Sequence, residues 1–510
     1  MKNRNYLVLA LFLFLCQAMV FGQKKTITGK VTDETGPLPG VSIIIKGTTT
    51  GTETDFDGNY SIEANIGDVL VFSFVGMATQ EKTVGISNII NVILSSDNLL
   101  EEVVVVGFGT QSKQLLTDNV AKIDSDQIGG ISTPSVQGAL IAKAPGVQIT
   151  QINGKLEGGV KVIIRGLSSV SASQEPLYVI DGIEMNNRNT SSITAKLNPL
   201  LSLNPNDIES IDILKDASAT AIYGAKGTNG VILITTKRGK RGKSSISLDF
   251  STGIGEPTHK RDWLNTSQYV ELLQESAFNS GFFADRAESD AWVDGRLQRY
   301  EGDQNYLDVN TDWQDEAFQT SIIKDANVSV SGGNEKTRSF ISGSYNDTKG
   351  IVRGNSLKRY SMRANLDHEV NTYFSLGLNA SYSSTVIDRI AGDNAFVTPL
   401  QAIAQIPTSP AYLADGEPNG NSLYPNFLLQ DKYSYRKTTI RRILSKVFGD
   451  LKILPVLTFR SELGYDYLYQ TVDRNTGRLA PFQSTNGQSF ASDDGTEIIS
   501  TNNYFTFDKR

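Results

Sequence analysis

Residue types able to do chemistry occur at five places in this chain, and their spacing decides what each could do. Asp55 and Asp57 stand like the first two ligands of a calcium loop, in the run TDFDGNYSI at residues 54–62. The later oxygen ligands and the closing glutamate of such a loop are missing, so a plain Asp-Gly hairpin turn explains the run better. GFGTQS at residues 107–112 has two glycines of a dinucleotide fingerprint without the third, and no helix pattern follows it. GKRGKSS at residues 239–245 imitates a phosphate loop, but Lys237 occupies the first glycine's place and a strand pattern follows where a helix should start. His259 and His368 stand far apart with no ligand-spaced partner, which offers no zinc site. Cys16, the only cysteine, has Leu13 and Leu15 where a lipid-attachment signal would need small residues. No nucleophile, metal cluster or phosphate loop remains, so the sequence points away from an enzyme and implies no cofactor.

A chemically plain stretch tells more. EEVVVVGFGTQ, residues 101–111, puts four valines behind two glutamates, and a strand of this kind needs a partner for its backbone N–H and C=O groups. One reading is an edge strand of a neighbouring domain. The other is a docking strand that adds to another protein's sheet through main-chain hydrogen bonds.

The elements around these residues are mostly β. Lys2 and Arg4, the apolar run 6–15, and small Val20 and Gly22 read as a secretory signal cut before Gln23, and the run is too short to span a membrane. Beyond it no apolar stretch approaches the ~20 residues of a spanning helix, so any crossing has to be by β-barrel. The formal net charge of −7 and the lack of a long basic cluster speak against nucleic acid. Residues 26–94 alternate over short strands broken by Gly, Pro and Asp-Gly turns, the pattern of a small β-sandwich. Residues 117–237 mix strands (GVKVIIRG, PLYVIDGIEM, GVILITTKRG) with one short helix, DASATAIYG, that has an Asp cap and a closing glycine.

From Ser244 onward long strands alternate with a strict period of two. RYSMRANLDH puts Tyr360, Met362, Ala364 and Leu366 on one face and Ser361, Arg363, Asn365 and Asp367 on the other. YFSLGLNASYSS and LTFRSELGYDYLYQ repeat the pattern, with aromatics near the strand ends. Eight strands are expected, near 244–252, 325–331, 337–346, 358–368, 373–384, 439–453, 456–470 and 498–508. A soluble sandwich could show the same alternation. The connections discriminate better: short links after even strands and long ones after odd strands describe an outer-membrane barrel with periplasmic turns and extracellular loops.

The chain is thereby identified as similar to the SusC/RagA family of TonB-linked outer-membrane proteins of Bacteroidetes. EEVVVVGFGTQ, PLYVIDGIEMNN at 176–187 and the long run NPNDIESIDILKDASATAIYGAKGTNGVILITTKRG at 204–239 carry the resemblance. It implies a mainly β protein in five parts: a signal peptide (1–22), a carboxypeptidase-regulatory-like β-sandwich (23–97), a linker and TonB box (98–111), an α+β plug (112–240) and the first strands of a transmembrane antiparallel barrel of 22 (241–510). It implies that Glu101, Glu102, Val103, Val104, Val105, Val106 and Gly107 are the box pulled by TonB, which works with ExbB and ExbD. The partners implied are outer-membrane lipid, a SusD-like surface lipoprotein as lid, and an oligosaccharide or peptide as cargo, with the N-terminal domain in the periplasm. Arg165, Asp181, Gly182 and Arg188 are plug candidates for polar contacts, with Asp181 and Gly182 at the tip of a strand turn, although a plain hairpin explains that pair equally well.

Eight strands enclose only their own side chains, whereas a plug needs a lumen of the 22-strand class. At about 33 residues per strand such a barrel takes about 730 residues after Ser244, so the sequence reads as a fragment or a shortened product. Two other functions stay open at this stage. A surface adhesin built of soluble sandwiches leaves the valine run and the 204–239 match unexplained, and a signalling transducer would need helices that the all-β pattern of 26–94 lacks.

Overall fold

The computed structural model describes residues 24–33, 36–75, 77–94, 103–106, 109–112, 120–128, 135–151, 154–166, 174–185, 197–390, 399, 403–480 and 486–507. The expected signal peptide, Glu101, Glu102, Gly107 and Arg188 lie outside these residues. The chain divides into two compact units whose boundary runs through the segment around residues 104–117.

The first unit holds two small sheets. β1 (Lys25–Thr32) lies between β4 (Asn59–Ala64) and β7 (Val92–Ile93), and β2 (Ser42–Ile45) lies between β3 (Gly51–Glu53) and β5 (Val69–Ser73), with β6 (Gln80–Thr83) beside β5. The alternation expected from sequence sets the packing: in β4, Tyr60, Ile62 and Ala64 are buried while their neighbours face out. Ile27, Val31, Ile43, Leu70 and Phe72 complete the core, and the Tyr60 ring meets Phe72 edge-on at 5.4 Å. The Asp55 carboxylate spends itself on its own turn, accepting the backbone N–H of Asp57 at 3.0 Å and of Asn59 at 2.8 Å. Gly58 closes that turn at φ 77°, where an added Cβ would lie 2.5 Å from the Val31 carbonyl oxygen.

The valine run forms β8 (Val103–Val106), which pairs with β9 (Gly109–Ser112) in a two-stranded sheet of its own. Among the described residues it joins neither larger sheet.

The second unit starts with a mixed five-stranded sheet in the order β10 (Val120–Asp124), β15 (Ile208–Leu214), β16 (Val231–Thr236), β13 (Leu177–Ile180), β14 (Ile183–Glu184), beside a hairpin of β11 (Val147–Gln151) and β12 (Val160–Ile164). The long run at 204–239 is thus the antiparallel β15–β16 pair and the helical corner between its strands. The expected Asp cap is positional only: Asp216 precedes the helix Ala217–Thr220 without a side-chain capping bond, because its carboxylate pairs with Arg165.

The rest is one antiparallel meander of eight strands: β17 (Gly242–Gly255), β18 (Ser321–Gly333), β19 (Thr337–Lys349), β20 (Ser356–Glu369), β21 (Phe374–Asp388), β22 (Ser434–Leu454), β23 (Leu457–Thr476) and β24 (Gln488–Phe507). Each strand pairs only with its sequence neighbours, so the sheet is open. Links at 334–336, 370–373 and 455–456 are tight, whereas those at 256–320, 389–433 and 477–487 are long and 350–355 is intermediate. Asn265 opens the helix Thr266–Asn279 with a capping box through Gln268. That helix packs on the helix Arg286–Leu297 through Val270, Ala277, Val293 and Leu297, in a small core that Ile406 of the next long link completes.

The sheet is inside-out compared with a soluble one. In β20 Tyr360, Met362 and Leu366 are exposed between Lys358 and His368 near its ends, while Arg359, Ser361, Arg363 and Asn365 are buried. β21 exposes Leu376, Leu378 and Tyr382 and buries Asn379 and Ser383. Two cross-strand rows rich in aromatic residues bound this apolar face. Phe374, Leu451, Phe459 and Phe505 stand in register near the tight turns, and Tyr345, Tyr360 and Tyr469 lie in a second row. About ten residues separate the rows along β23, about 33 Å of strand, which a tilt of about 40° reduces to about 25 Å, the height of the lipid-facing band of outer-membrane barrels.

Candidate functional site

The polar face of the sheet is covered by the mixed α+β domain, and the side chains at that joint form the best-built site in the molecule. Asp181 and Gly182 link β13 to β14 with φ of 50° and 86°, the geometry of a two-residue hairpin turn with both residues left-handed. The Asp181 carboxylate accepts the Thr236 N–H at 3.0 Å and its hydroxyl at 2.7 Å, so the turn is tied to the end of β16. From the barrel wall Arg363 reaches Asp181 at 3.4 Å and Asp207 at 3.5 Å, with only 3% of its side chain exposed. Asn365, two residues along on the same face, donates to the Thr236 hydroxyl at 2.9 Å and to the Lys237 carbonyl at 2.7 Å. Ser342 donates to Asp207 at 2.6 Å. One guanidinium between two carboxylates at this burial holds the two parts together at a high desolvation cost, so the cluster lasts only while every member is in place.

The joint continues on both sides of this cluster. Arg359, fully buried, donates to the carbonyls of Leu201 and Leu203 at 3.2 Å, satisfying groups left open by the 3-10 turn Pro199–Ser202. Glu157 accepts from Asn355 at 2.8 Å and from Arg389 at 3.2 Å. Gly239 passes so close to the wall that a Cβ there would sit 2.3 Å from the Ser339 nitrogen. A Cβ on Gly182 would meet the Lys446 ammonium at 3.0 Å. Apolar contact contributes as well: Leu444 joins the inner domain's core, and Leu357, Ile387 and Ile440 close on Leu201.

Of the plug candidates, Asp181 and Gly182 therefore stand at this joint. Arg165, at φ 55°, stands away from it and pairs with Asp216. Lys215, nearby, has its pKa lowered by burial and then by the Arg165 charge. Within the inner domain the Tyr178 hydroxyl accepts from Gln137 at 2.6 Å, and burial raises its pKa. The residues that do most at the joint, Arg363, Asp207, Asn365, Thr236 and Glu157, were not singled out from sequence. Arg363 and Asn365 carried a usable signal, since charged and amide side chains on the polar face of an alternating strand must have something polar to meet.

An inward-polar, outward-apolar sheet with a folded domain seated on its polar side defines a plugged membrane β-barrel. Comparison with known proteins makes this more specific. Residues 27–106 match the CarboxypepD_reg-like domain and residues 112–231 the TonB-dependent Receptor Plug Domain. Over 77% of its length the chain is 39% identical to TonB-dependent receptor P26 of Formosa agariphila, spanning 37% of that protein. It is 36% identical over 81% of its length to TonB-dependent receptor SusC of Bacteroides thetaiotaomicron, spanning 39% of it. The solved RagAB peptide importer in its open-open state superposes with a TM-score of 0.66 at 23% identity, covering 78% of this chain and 46% of that one, a likeness of fold. The chain belongs to the SusC/RagA family of TonB-dependent receptors, and it spans less than half the length of these relatives.

Proposed function

We propose that the protein is a TonB-dependent importer of the outer membrane, working with a SusD-like surface lipoprotein to take up oligosaccharides or peptides. The observation that carries this reading is the polar joint between plug and wall: a buried set of charges such as Arg363 between Asp181 and Asp207 favours a plug that is firmly held yet releasable in steps. Water entering the joint as it opens can solvate those charges, which an apolar joint would not permit at comparable cost. On this reading the division is signal 1–22, regulatory-like sandwich 23–97, linker and box 98–111, plug 112–240 and barrel strands from 241, with cleavage before Gln23 and the sandwich in the periplasm. Its role is transport, with TonB, ExbB and ExbD supplying the work.

Residues 101–107 are the handle in this proposal. Val103–Val106 makes only a short hairpin with Gly109–Ser112, and exchanging that pairing for TonB's own strand conserves main-chain hydrogen bonds, each worth about 0.5–1.5 kcal/mol net. Val104→Pro or Val105→Pro deletes a donor and fixes φ. Expressed in cells, either variant should reach the outer membrane and bind cargo as before, yet lose energy-dependent uptake. Uptake at the original rate in both would refute the docking-strand reading.

A further inference from the structure

At the long-loop end of the sheet, three arginines stand side by side in one cross-strand row. Arg436 of β22 is directly opposite Arg474 of β23, and on its other side the Arg436 carbonyl accepts the Arg389 N–H at 2.8 Å where β21 runs out. Strands in a sheet lie about 4.8 Å apart, and like charges placed directly opposite one another destabilise the pairing. Arg389 is compensated by Glu157 of the plug, whose carboxylate is also taken up by Asn355. Arg353, on the opposite side, is compensated by Glu316 at 3.4 Å. Arg436 and Arg474 form no salt bridge among the described residues; Arg474 has a single 3.4 Å contact to the Thr476 hydroxyl.

These side chains line a cavity of about 380 Å³ that opens at the loop end. Two carboxylates share the lining with five cations. Asp388 accepts a bond from Ser356 at 2.8 Å. Asp431, on the helix Phe427–Tyr433, has its pKa raised by burial, against the opposing pull of the Arg353 charge. A like-charged pair on a rigid ladder, in a cavity of small-ligand size, is a site arranged for an oxyanion, since guanidinium groups bind carboxylate and sulfate through paired N–H donors.

We infer that Arg436 and Arg474 form a binding site for the carboxylate or sulfate group of an anionic solute, so that the cargo class of this importer is acidic. This rests on the import reading for its biological sense, but the site is tested by binding alone, without TonB. The intact protein, extracted from the outer membrane in detergent, is titrated by calorimetry with glucuronate, glutamate and sulfate against the neutral counterparts glucose and glutamine. Oxyanion probes should bind, with affinity falling as salt rises, and neutral ones should not. Glucuronate binding above glutamate assigns the site to acidic saccharide, and the reverse order assigns it to acidic peptide. The double variant R436Q/R474Q should weaken oxyanion binding at least tenfold while keeping the heat-modifiable electrophoretic mobility of a folded barrel, and R436K/R474K should recover part of the loss. Equal binding of charged and neutral probes, no binding of any probe, or an unchanged R436Q/R474Q variant overturns the inference. Loss of uptake in the proline variants with oxyanion binding intact would leave it standing.

Discussion

The sandwich at residues 24–94 and the sheet at 242–507 are written in the same period of two and solve opposite problems. β4 buries Tyr60, Ile62 and Ala64 and shows water its polar side chains. β20 buries Arg359, Ser361, Arg363 and Asn365 and turns Tyr360, Met362 and Leu366 outward. The difference lies in what stands on either side of the sheet. The sandwich has a second apolar sheet within and water without, so the hydrophobic effect pulls its apolar face inward. The long sheet has a polar-faced domain within, and lipid accepts its apolar face at no cost. Alternation therefore specifies that a strand has two unlike faces, and the surroundings decide which of them is inside.

That contrast can be broken at several points. The largest effect is expected from Arg363→Ala, which leaves the Asp181 and Asp207 carboxylates buried without their cation and should destabilise the plug in its seat by about 3–5 kcal/mol. Limited proteolysis of the folded protein should then cut within residues 120–236 while the barrel strands resist; an unchanged digestion pattern would mean that the joint is held by its apolar contacts instead. Next in size, Leu366→Arg places a charge on the lipid side of β20, near the middle of the band between the two aromatic rows, and should cost about 2–4 kcal/mol, lowering the folded fraction in lipid vesicles. Phe56→Arg, at a position 94% exposed in the sandwich, should change stability by no more than about 0.5 kcal/mol. Equal tolerance of both substitutions would show that the two outer faces meet the same solvent.

The smallest effect belongs to Asp55. Its pKa lies below the usual carboxylate range, chiefly because its carboxylate accepts the Asn59 N–H. A depressed folded-state value means that the turn's contribution is complete above the ordinary carboxylate range and is lost as pH falls through the lowered value. The sandwich should therefore melt at slightly lower temperature once the pH is taken below the ordinary carboxylate range, and Asp55→Asn should flatten that limb of the profile. A wild-type profile in the variant would assign the acid limb to other groups.

Much of the fold was legible because it depends on local pattern. All eight long strands occur where the alternation placed them, and the tight links follow the even-numbered strands as expected, at 334–336, 370–373 and 455–456. Most strands run further than expected at the long-loop end, β22 beginning at Ser434 and β23 ending at Thr476. Beyond the lipid the alternation of apolar residues loosens, but the backbone ladder continues, and a reading by hydrophobic pattern stops early. The helices at Thr266–Asn279 and Arg286–Leu297 were missed inside a segment read only as loop, although Asn265 and Gln268 form a capping box and Val270 and Ala277 fall on one face.

The joint was less legible. Asp207, Thr236 and Arg363 are far apart in the chain, and each is unremarkable in its own strand or turn. What the sequence determined by itself was the set of elements, the two-faced character of each strand and the family run at 204–239, because these rest on backbone geometry and on nearest-neighbour side chains. The tertiary structure alone decided which face is inside, which carboxylates share Arg363, and that Arg436 and Arg474 stand opposite each other. Those facts depend on register and on the packing of one domain inside another, where a shift of a single residue would turn every side chain to the other face.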